Sequence, residues 1–390
     1  MKNWWNLRMD SLRRIGTSVF TENSLELISD REEPPSPELP LTPHILSFDR
    51  SKHVAFSQMM LHMLPWHYQT QEINRITLAY FTISGLNILG AIDHVDKDAI
   101  AMWVLSLQTQ WNKRSEPNNG MLHGQYQVVS GQFYGFSALV LYTVLNHSHL
   151  ASTYSALAIF KVIGYNLSNI DSKSILTSMK DLQQPDGSFL SIHIGAETDL
   201  RFIYCATAIC FMLDDWCGMD REKAIEYILR CQTYDGGFGM NPGAESHGGG
   251  TYCAVASLRL MGFIESNLLF KRASSSIIDV PLLLEWCLQR QSHDGGFQGR
   301  TNKPSDTCYA FWIGAVLKIL GGYSLMDRHA LREFLLSCQY QYGGFSKYPD
   351  ELPDLYHSYY GYSALAILEE PGLNSLNPEL GIADAALLSL

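Results

Sequence analysis

The sequence predicts an all-α fold of repeated helical hairpins arranged as an inner and an outer ring. Three observations predict it. The first is a repeated turn of Asp/Tyr-Gly-Gly-Phe type that follows a Gln. It reads Gln184-Pro185-Asp186-Gly187-Ser188-Phe189, then Gln232 to Phe238, Gln291 to Phe297 and Gln339 to Phe345. The turn glycines fall at Gly187, Gly236, Gly295 and Gly343, a period of 48 to 59 residues, which marks a repeat architecture. The second is an apolar run built around a Tyr, at Tyr154, Tyr204, Tyr252, Tyr309 and Tyr360. The third is an alternation of two helical patterns.

Each element follows from its own pattern. The segment Ala224 to Gln232 is amphipathic and ends just before a Gly-Gly turn. The segment Cys253 to Met261 follows the turn and is apolar nearly all round. A helix apolar on all sides is buried, and an amphipathic one lies outside it. Gly-Gly supplies the positive φ where the chain reverses between them. An open helical solenoid is the competing arrangement.

Composition bounds the function. The 390 residues are 46% hydrophobic and 17% charged, which suits a large soluble domain; length alone suggests two domains, but the repeat runs almost to the C-terminus and argues for one. A net charge of -11 disfavours nucleic acid as a partner. No apolar run is long and clean enough for a membrane span. Eight Cys in this length make no disulfide framework. Cys231, Cys287 and Cys338 read as one outer-helix position before the turn. Cys205, Cys210 and Cys253 read as packing residues, and Cys217 says little. Cys308 stands apart, before its Tyr instead of after it.

The first 45 residues fall outside the repeat. Met1 to Phe20 carries Lys2, Arg8, Arg13 and Arg14 against one acid, Asp10, which is the composition of a transit peptide or of a dispensable tail. Asp30 to Pro43 is acidic and Pro-rich, as in a disordered linker. Residues 1–45 are therefore expected to be a disordered or targeting-like extension, and 46–390 the repeat domain.

Three positions before each repeat Tyr stand Ala151, Arg201, Gly249, Asp306 and His357. A core slot would be apolar, yet three of these five ionise. With Cys308, the residues Asp306 and His357 offer one O, one S and one N ligand. Three protein ligands with a fourth position open is the pattern of a catalytic zinc. An ordinary Asp helix cap beside a core Cys would give the same spacing. Arg300, Lys303, His247 and Arg201 lie at neighbouring helix starts and suit an anion such as a diphosphate. Solvated surface cations are the alternative for each of them.

The stretch Gly296-Phe-Gln-Gly-Arg300-Thr-Asn-Lys303-Pro-Ser-Asp306-Thr-Cys308-Tyr309-Ala-Phe-Trp312 resembles the signature of protein prenyltransferase β subunits. The resemblance runs from about Leu46 to the end. It implies an α-α barrel (toroid) that pairs with a separate α subunit in a heterodimer. It also implies prenyl transfer to the Cys of a C-terminal Cys-a-a-X motif, as in small GTPases, through a zinc-bound thiolate. By the resemblance, Asp306, Cys308 and His357 hold one zinc ion. His247, Arg300, Lys303 and Tyr309 hold the isoprenoid diphosphate, with Gly248 and Gly249 beside His247. Arg201 is placed near the substrate thiol, and Trp312, Tyr204 and Cys253 line the lipid pocket. The family's α subunit adds a Lys and a Gln, so this chain alone is expected to be inactive. The family is cytoplasmic.

Within the family the chain is most similar to geranylgeranyltransferase type I. Thr77 matches a small residue where farnesyltransferase has a Trp that blocks the fourth isoprene unit. Lys347 matches the type I lysine, where farnesyltransferase has a magnesium-binding Asp, so magnesium is expected to be dispensable. The run Arg75 to Leu89 also resembles type I more than the Rab-type enzyme. One departure is the apolar segment Ser137 to Leu145 after Ser130-Gly131-Gln132-Phe133-Tyr134-Gly135-Phe136, within 131–148. The readings left beside this one are a farnesyltransferase or Rab-type β subunit, a non-catalytic helical scaffold, a degenerate β subunit and a terpene cyclase. The last would need an acid cluster, for which Asp214-Asp215 is the nearest pair.

Overall fold

The computed structural model describes residues 47–66, 68, 71, 74–108, 149–192, 197–265 and 278–388. All of these residues except Ser47 lie in one compact unit, Phe48–Leu390. The expected N-terminal extension 1–45 and the atypical segment 131–148 lie outside the described residues.

Among the described residues twelve α-helices form six pairs: α1 (Arg50–His62) with α2 (Arg75–Ile88), α3 (Lys97–Ser106) with α4 (Leu150–Ile163), α5 (Ser172–Lys180) with α6 (Leu200–Leu213), α7 (Arg221–Arg230) with α8 (Gly248–Leu260), α9 (Val280–Leu288) with α10 (Thr307–Leu320), and α11 (Arg328–Ser337) with α12 (Leu355–Ile367). The even-numbered helices are buried nearly all round, whereas α7 buries little beyond Ala224, Tyr227 and Ile228. Helix α2 packs on α4, α4 on α6, α6 on α8, α8 on α10 and α10 on α12, and α12 packs back on α2. That last contact closes the inner ring and excludes the open solenoid. Among the described residues no helix is long and apolar enough to cross a membrane.

Local sequence starts every outer helix. Asp49, Asp96, Asp171, Asp220, Asp279 and Asp327 are the N-caps, and each side chain accepts the N–H three residues on. Such caps contribute about 1 kcal/mol each. The turn glycines are fixed by close approach as well as by φ. A Cβ on Gly236, at φ +94°, would stand 2.6 Å from the Leu282 carbonyl oxygen of the next outer helix. Gln183, not Gln184, is the repeat glutamine of the first turn: it bridges to Phe189 and holds the backbone of Asp220 at 2.7 and 2.9 Å.

The inner helices begin at Asn74, His149, Asp199, His247, Asp306 and Asp354. Counting from these caps corrects the sequence alignment. The residues equivalent to Tyr154, Tyr204 and Tyr252 are Phe311 and Tyr359, not Tyr309 and Tyr360. The slot one turn further along holds Ala158, Ala208, Ala256, Ala315 and Ser363, and in α2 Ser84 stands one turn past Tyr80; all are essentially fully buried. Small side chains there let neighbouring inner helices approach closely.

The tyrosines of this ring bind the C-terminal segment. Asn374 enters at the end of α2, where it bonds the carbonyls of Asn87 and Ile88. A short hairpin follows, β1 (Leu376–Asn377) antiparallel to β2 (Ile382–Ala383). Its connecting carbonyls accept the ring hydroxyls: Tyr204 and Tyr252 donate to Glu379, Tyr154 to Leu380, and Tyr359 to Gly381. These buried polar groups are thereby satisfied.

The cysteine slot is also corrected. Cys231 and Cys338 precede the repeat Gln, but Arg290 takes that place in the third turn, because Gly239, Ser346 and Gln298 donate to the carbonyls of Cys231, Cys338 and Arg290 respectively. Cys287 lies one turn earlier, in α9.

Candidate metal centre and anion rim

Inner helices alternate with outer ones of opposite direction, so all six inner N-termini share one rim. Their aligned dipoles favour negative charge there. At this rim the start of α10 meets the start of α12.

Asp306 caps α10, and its carboxylate accepts the Cys308 N–H at 2.9 Å. Cys308 is therefore two residues past its cap, and His357 is three past Asp354. The slot alignment made from the sequence placed Asp306 and His357 in equivalent positions. They are not equivalent, yet the fold brings them together. The ligand atoms of Asp306, Cys308 and His357 lie within 4.8 Å of one another. His357 Nε2 is 3.3 Å from Asp306 Oδ1. Its Nδ1 is 2.6 Å from the Asp354 carboxylate, a partner not anticipated from the sequence. The signal for Asp354 was its position, since every other inner cap from α4 onward is also His or Asp.

The electrostatics follow from this packing. Burial raises the Cys308 thiol well above its ordinary pKa, and the Asp306 carboxylate adds to the shift. Burial works against charge on His357, but Asp306 and Asp354 outweigh it and lift the imidazole to about 9. Asp306 resists burial and stays low through its bond to His357. Lys347 Nζ lies 3.8 Å from Asp306 Oδ2. The donor set of one S, one N and one O, with the second imidazole nitrogen held by a carboxylate, fits a divalent zinc-like cation. A cation there would reverse the local logic and favour the Cys308 thiolate.

The anion residues flank this cluster. His247 caps α8, and its Nδ1 accepts the Gly249 N–H at 3.0 Å. The ring proton therefore sits on Nε2, 3.1 Å from the Tyr309 hydroxyl. The Tyr309 oxygen accepts it and its own hydrogen becomes a donor to another group. Gly248 and Gly299 make room for this ring: a Cβ on either would lie 2.9 Å or 2.0 Å from Tyr309 atoms. Gly248 N–H also donates to the Gly299 carbonyl at 2.8 Å, which ties the start of α8 to the turn carrying Arg300. Arg300 is half-buried, 3.7 Å from Glu245, and Lys303 is exposed in the same turn.

Other expected residues lie elsewhere in the ring. Arg201 is on α6, which packs on α4 and α8, and its guanidinium is held by Asp199 and Glu197. Tyr204 and Cys253 are buried on α6 and α8. Trp312 Nε1 donates to Tyr356 at 3.4 Å, one residue before His357. Thr77 is half-buried on α2, one turn nearer the rim than Tyr80. Asp214 and Asp215 are exposed at the end of α6, so they form no acid cluster in the lumen.

With this geometry in view, similarity to known proteins is informative. Residues 48–382 match the prenyltransferase alpha-alpha toroid domain. A geranylgeranyl transferase type-1 subunit beta of Arabidopsis thaliana is 60% identical over 372 residues, covering 93% of this chain and 98% of that protein. One of the same description from Dictyostelium discoideum is 34% identical, with 87% and 96% covered. A solved structure of Candida albicans protein geranylgeranyltransferase-I complexed with GGPP shares the fold, with a TM-score of 0.72 at 24% identity over 87% of this chain and 97% of that one.

Proposed function

The chain belongs to the prenyltransferase alpha-alpha toroid family, and we propose that it is the catalytic β subunit of a protein geranylgeranyltransferase type I. It transfers a geranylgeranyl group from geranylgeranyl diphosphate to the Cys thiol of a C-terminal Cys-a-a-X motif, X preferably Leu. The observation that carries the chemistry is the joining of Asp306, Cys308 and His357 at one rim, beside the His247–Tyr309 pair.

In this reading Asp306, Cys308 and His357 hold one zinc ion. An ion held by these residues would lower the pKa of a substrate thiol from about 8.5 and supply a thiolate at neutral pH. The chain's residues supply the rest. The Tyr309 hydroxyl donates to the diphosphate, oriented by the Nε2–H of His247 beside it, and Arg300 and Lys303 add positive charge as the C1–O bond breaks. Lys347 adds charge from the zinc side, so magnesium is not needed. Trp312, Tyr204 and Cys253 present an apolar wall to the isoprenoid. Thr77 leaves depth for a fourth isoprene unit. The partner is a prenyltransferase α subunit, the substrates are proteins such as small GTPases, and the setting is the cytoplasm.

Metal analysis of the heterodimer, followed by transfer assays after chelation and zinc re-addition, tests this reading. Loss of transfer on chelation and recovery with zinc supports it. Full transfer by metal-free protein overturns it.

A further inference from the structure

The ring closes between its last turn and its first helix, and that junction differs from the others. In three turns an Asp side chain accepts the backbone N–H two residues on: Asp186 from Ser188 at 3.0 Å, Asp235 from Gly237 at 3.3 Å, and Asp294 from Gly296 at 3.0 Å. The last turn has Tyr342 in that place, largely exposed. The Gly344 N–H donates instead to Nδ1 of His53, at 2.9 Å and 291 residues away.

His53 reaches it because α1 stands where the next outer helix would stand. A Cβ on Gly343 would lie 2.2 Å from the Lys52 carbonyl oxygen, as one on Gly187 would lie 2.0 Å from that of Lys223. The repeat Gln339 accepts the N–H of Asp49 at 3.1 Å and also faces His53 Nε2 at 2.9 Å. The imidazole is fully buried and stacks between Phe48 and Phe345, each with ring centroids at 4.8 Å. Burial keeps it neutral, with its pKa pushed down to about 4, as an acceptor at Nδ1 requires.

From Gly344 a four-residue strap runs to both halves of the candidate metal centre. Phe345 donates to Ser358 at 2.9 Å, the residue after His357, and accepts from Asp354 at 3.3 Å, the cap of α12 three residues before it. The carbonyls of Ser346 and Lys347 accept from the Thr307 side chain at 2.7 Å and its N–H at 3.2 Å. Thr307 lies between Asp306 and Cys308.

We propose that His53 is a positioning residue for the metal centre: it completes the last turn only when the ring closes, and the Gly344–Lys347 strap transmits that closure to the starts of α10 and α12. This rests on the zinc reading of Asp306, Cys308 and His357. In an open ring the Gly344 N–H would lack its partner, and the strap would lose the anchor that sets the distance between the two ligand-bearing helices.

The test uses the heterodimer and follows zinc release to a chromogenic chelator. His53→Phe keeps the aromatic stack and removes both hydrogen bonds. Its release should be faster by roughly tenfold or more, the range expected when a metal site loses its outer support. Adding Tyr342→Asp restores the local acceptor used by the other turns, and should return release most of the way to normal. Release from His53→Phe at the unmodified rate would overturn the proposal, as would a double variant that stays as fast. If His53→Phe gives no folded heterodimer, a folded and zinc-loaded double variant supports the proposal, and an unfolded one overturns it. An unmodified heterodimer without zinc would overturn the metal reading itself, and this inference with it.

Discussion

The carboxylate of Asp354 lies 2.6 Å from Nδ1 of His357, and so leaves Nε2 as the nitrogen that faces Asp306. This fixes the tautomer and raises the basicity of the ring as a ligand. Asp354→Asn keeps a cap acceptor but removes the charge. Zinc affinity, measured by chelator competition, should fall by roughly tenfold. An unchanged affinity would mean that Asp354 serves only as the cap of α12.

Cys308→Ala should lose zinc and peptide binding while isoprenoid binding largely survives. In the proposed site sulfur is one of three ligands, whereas the diphosphate would rest on His247, Tyr309 and the cations of the Arg300 turn. Metal analysis and fluorescence titration with an isoprenoid analogue check both halves. Full zinc in this variant would contradict the ligand assignment.

Much of this site was legible in the sequence because its residue types are unusual for their place. Asp306, Cys308 and His357 are metal-ligand types gathered within a few residues of two repeat tyrosines, although Asp306 occupies an ordinary cap position, and the Gly-Gly turns announce the hairpins. The register was not legible. Tyr356, Tyr359, Tyr360 and Tyr362 crowd one helix, and periodicity alone cannot choose which of them matches Tyr154. Only the cap count, with the hydroxyl bonds to the C-terminal hairpin, selects Tyr359. Likewise Phe311 lacks the hydroxyl that marks its neighbours, so the eye settles on Tyr309. Partners from distant segments, such as His53 with Gly344, leave no local pattern at all.

Tyr309→Phe removes the hydroxyl that takes the Nε2 proton of His247 and keeps the ring between Gly248 and Gly299. A donor that strengthens as the leaving group gains charge acts on kcat, not on binding. The rate of the transfer step should fall by roughly tenfold to a hundredfold, with zinc content unchanged. A change confined to the KM for peptide would remove Tyr309 from this role.

Lys347 lies 3.8 Å from Asp306 and is half-exposed, so its charge is at the site and not out in solvent. Transfer should hardly respond to added magnesium while zinc is present. Lys347→Asp should slow transfer in magnesium-free buffer and regain part of the rate at millimolar magnesium. Strong acceleration of the unmodified enzyme by magnesium would exclude this role.

Thr77→Trp should shift donor preference toward farnesyl diphosphate, because a bulky ring fills the depth that the fourth isoprene unit needs. Competition between the two donors, read as the ratio of prenylated products, checks it. An unchanged ratio would place the end of the lipid pocket elsewhere.

The central claim is that this chain, with its α subunit, is a zinc-dependent geranylgeranyltransferase of type I. The most direct measurement is the ratio of kcat/KM for geranylgeranyl and farnesyl diphosphate, with peptides ending in Leu or Ser, by the co-expressed heterodimer. The account predicts that geranylgeranyl diphosphate with the Leu peptide gives the highest value. Preference for farnesyl diphosphate with the Ser peptide, or no transfer with any pair, would contradict it.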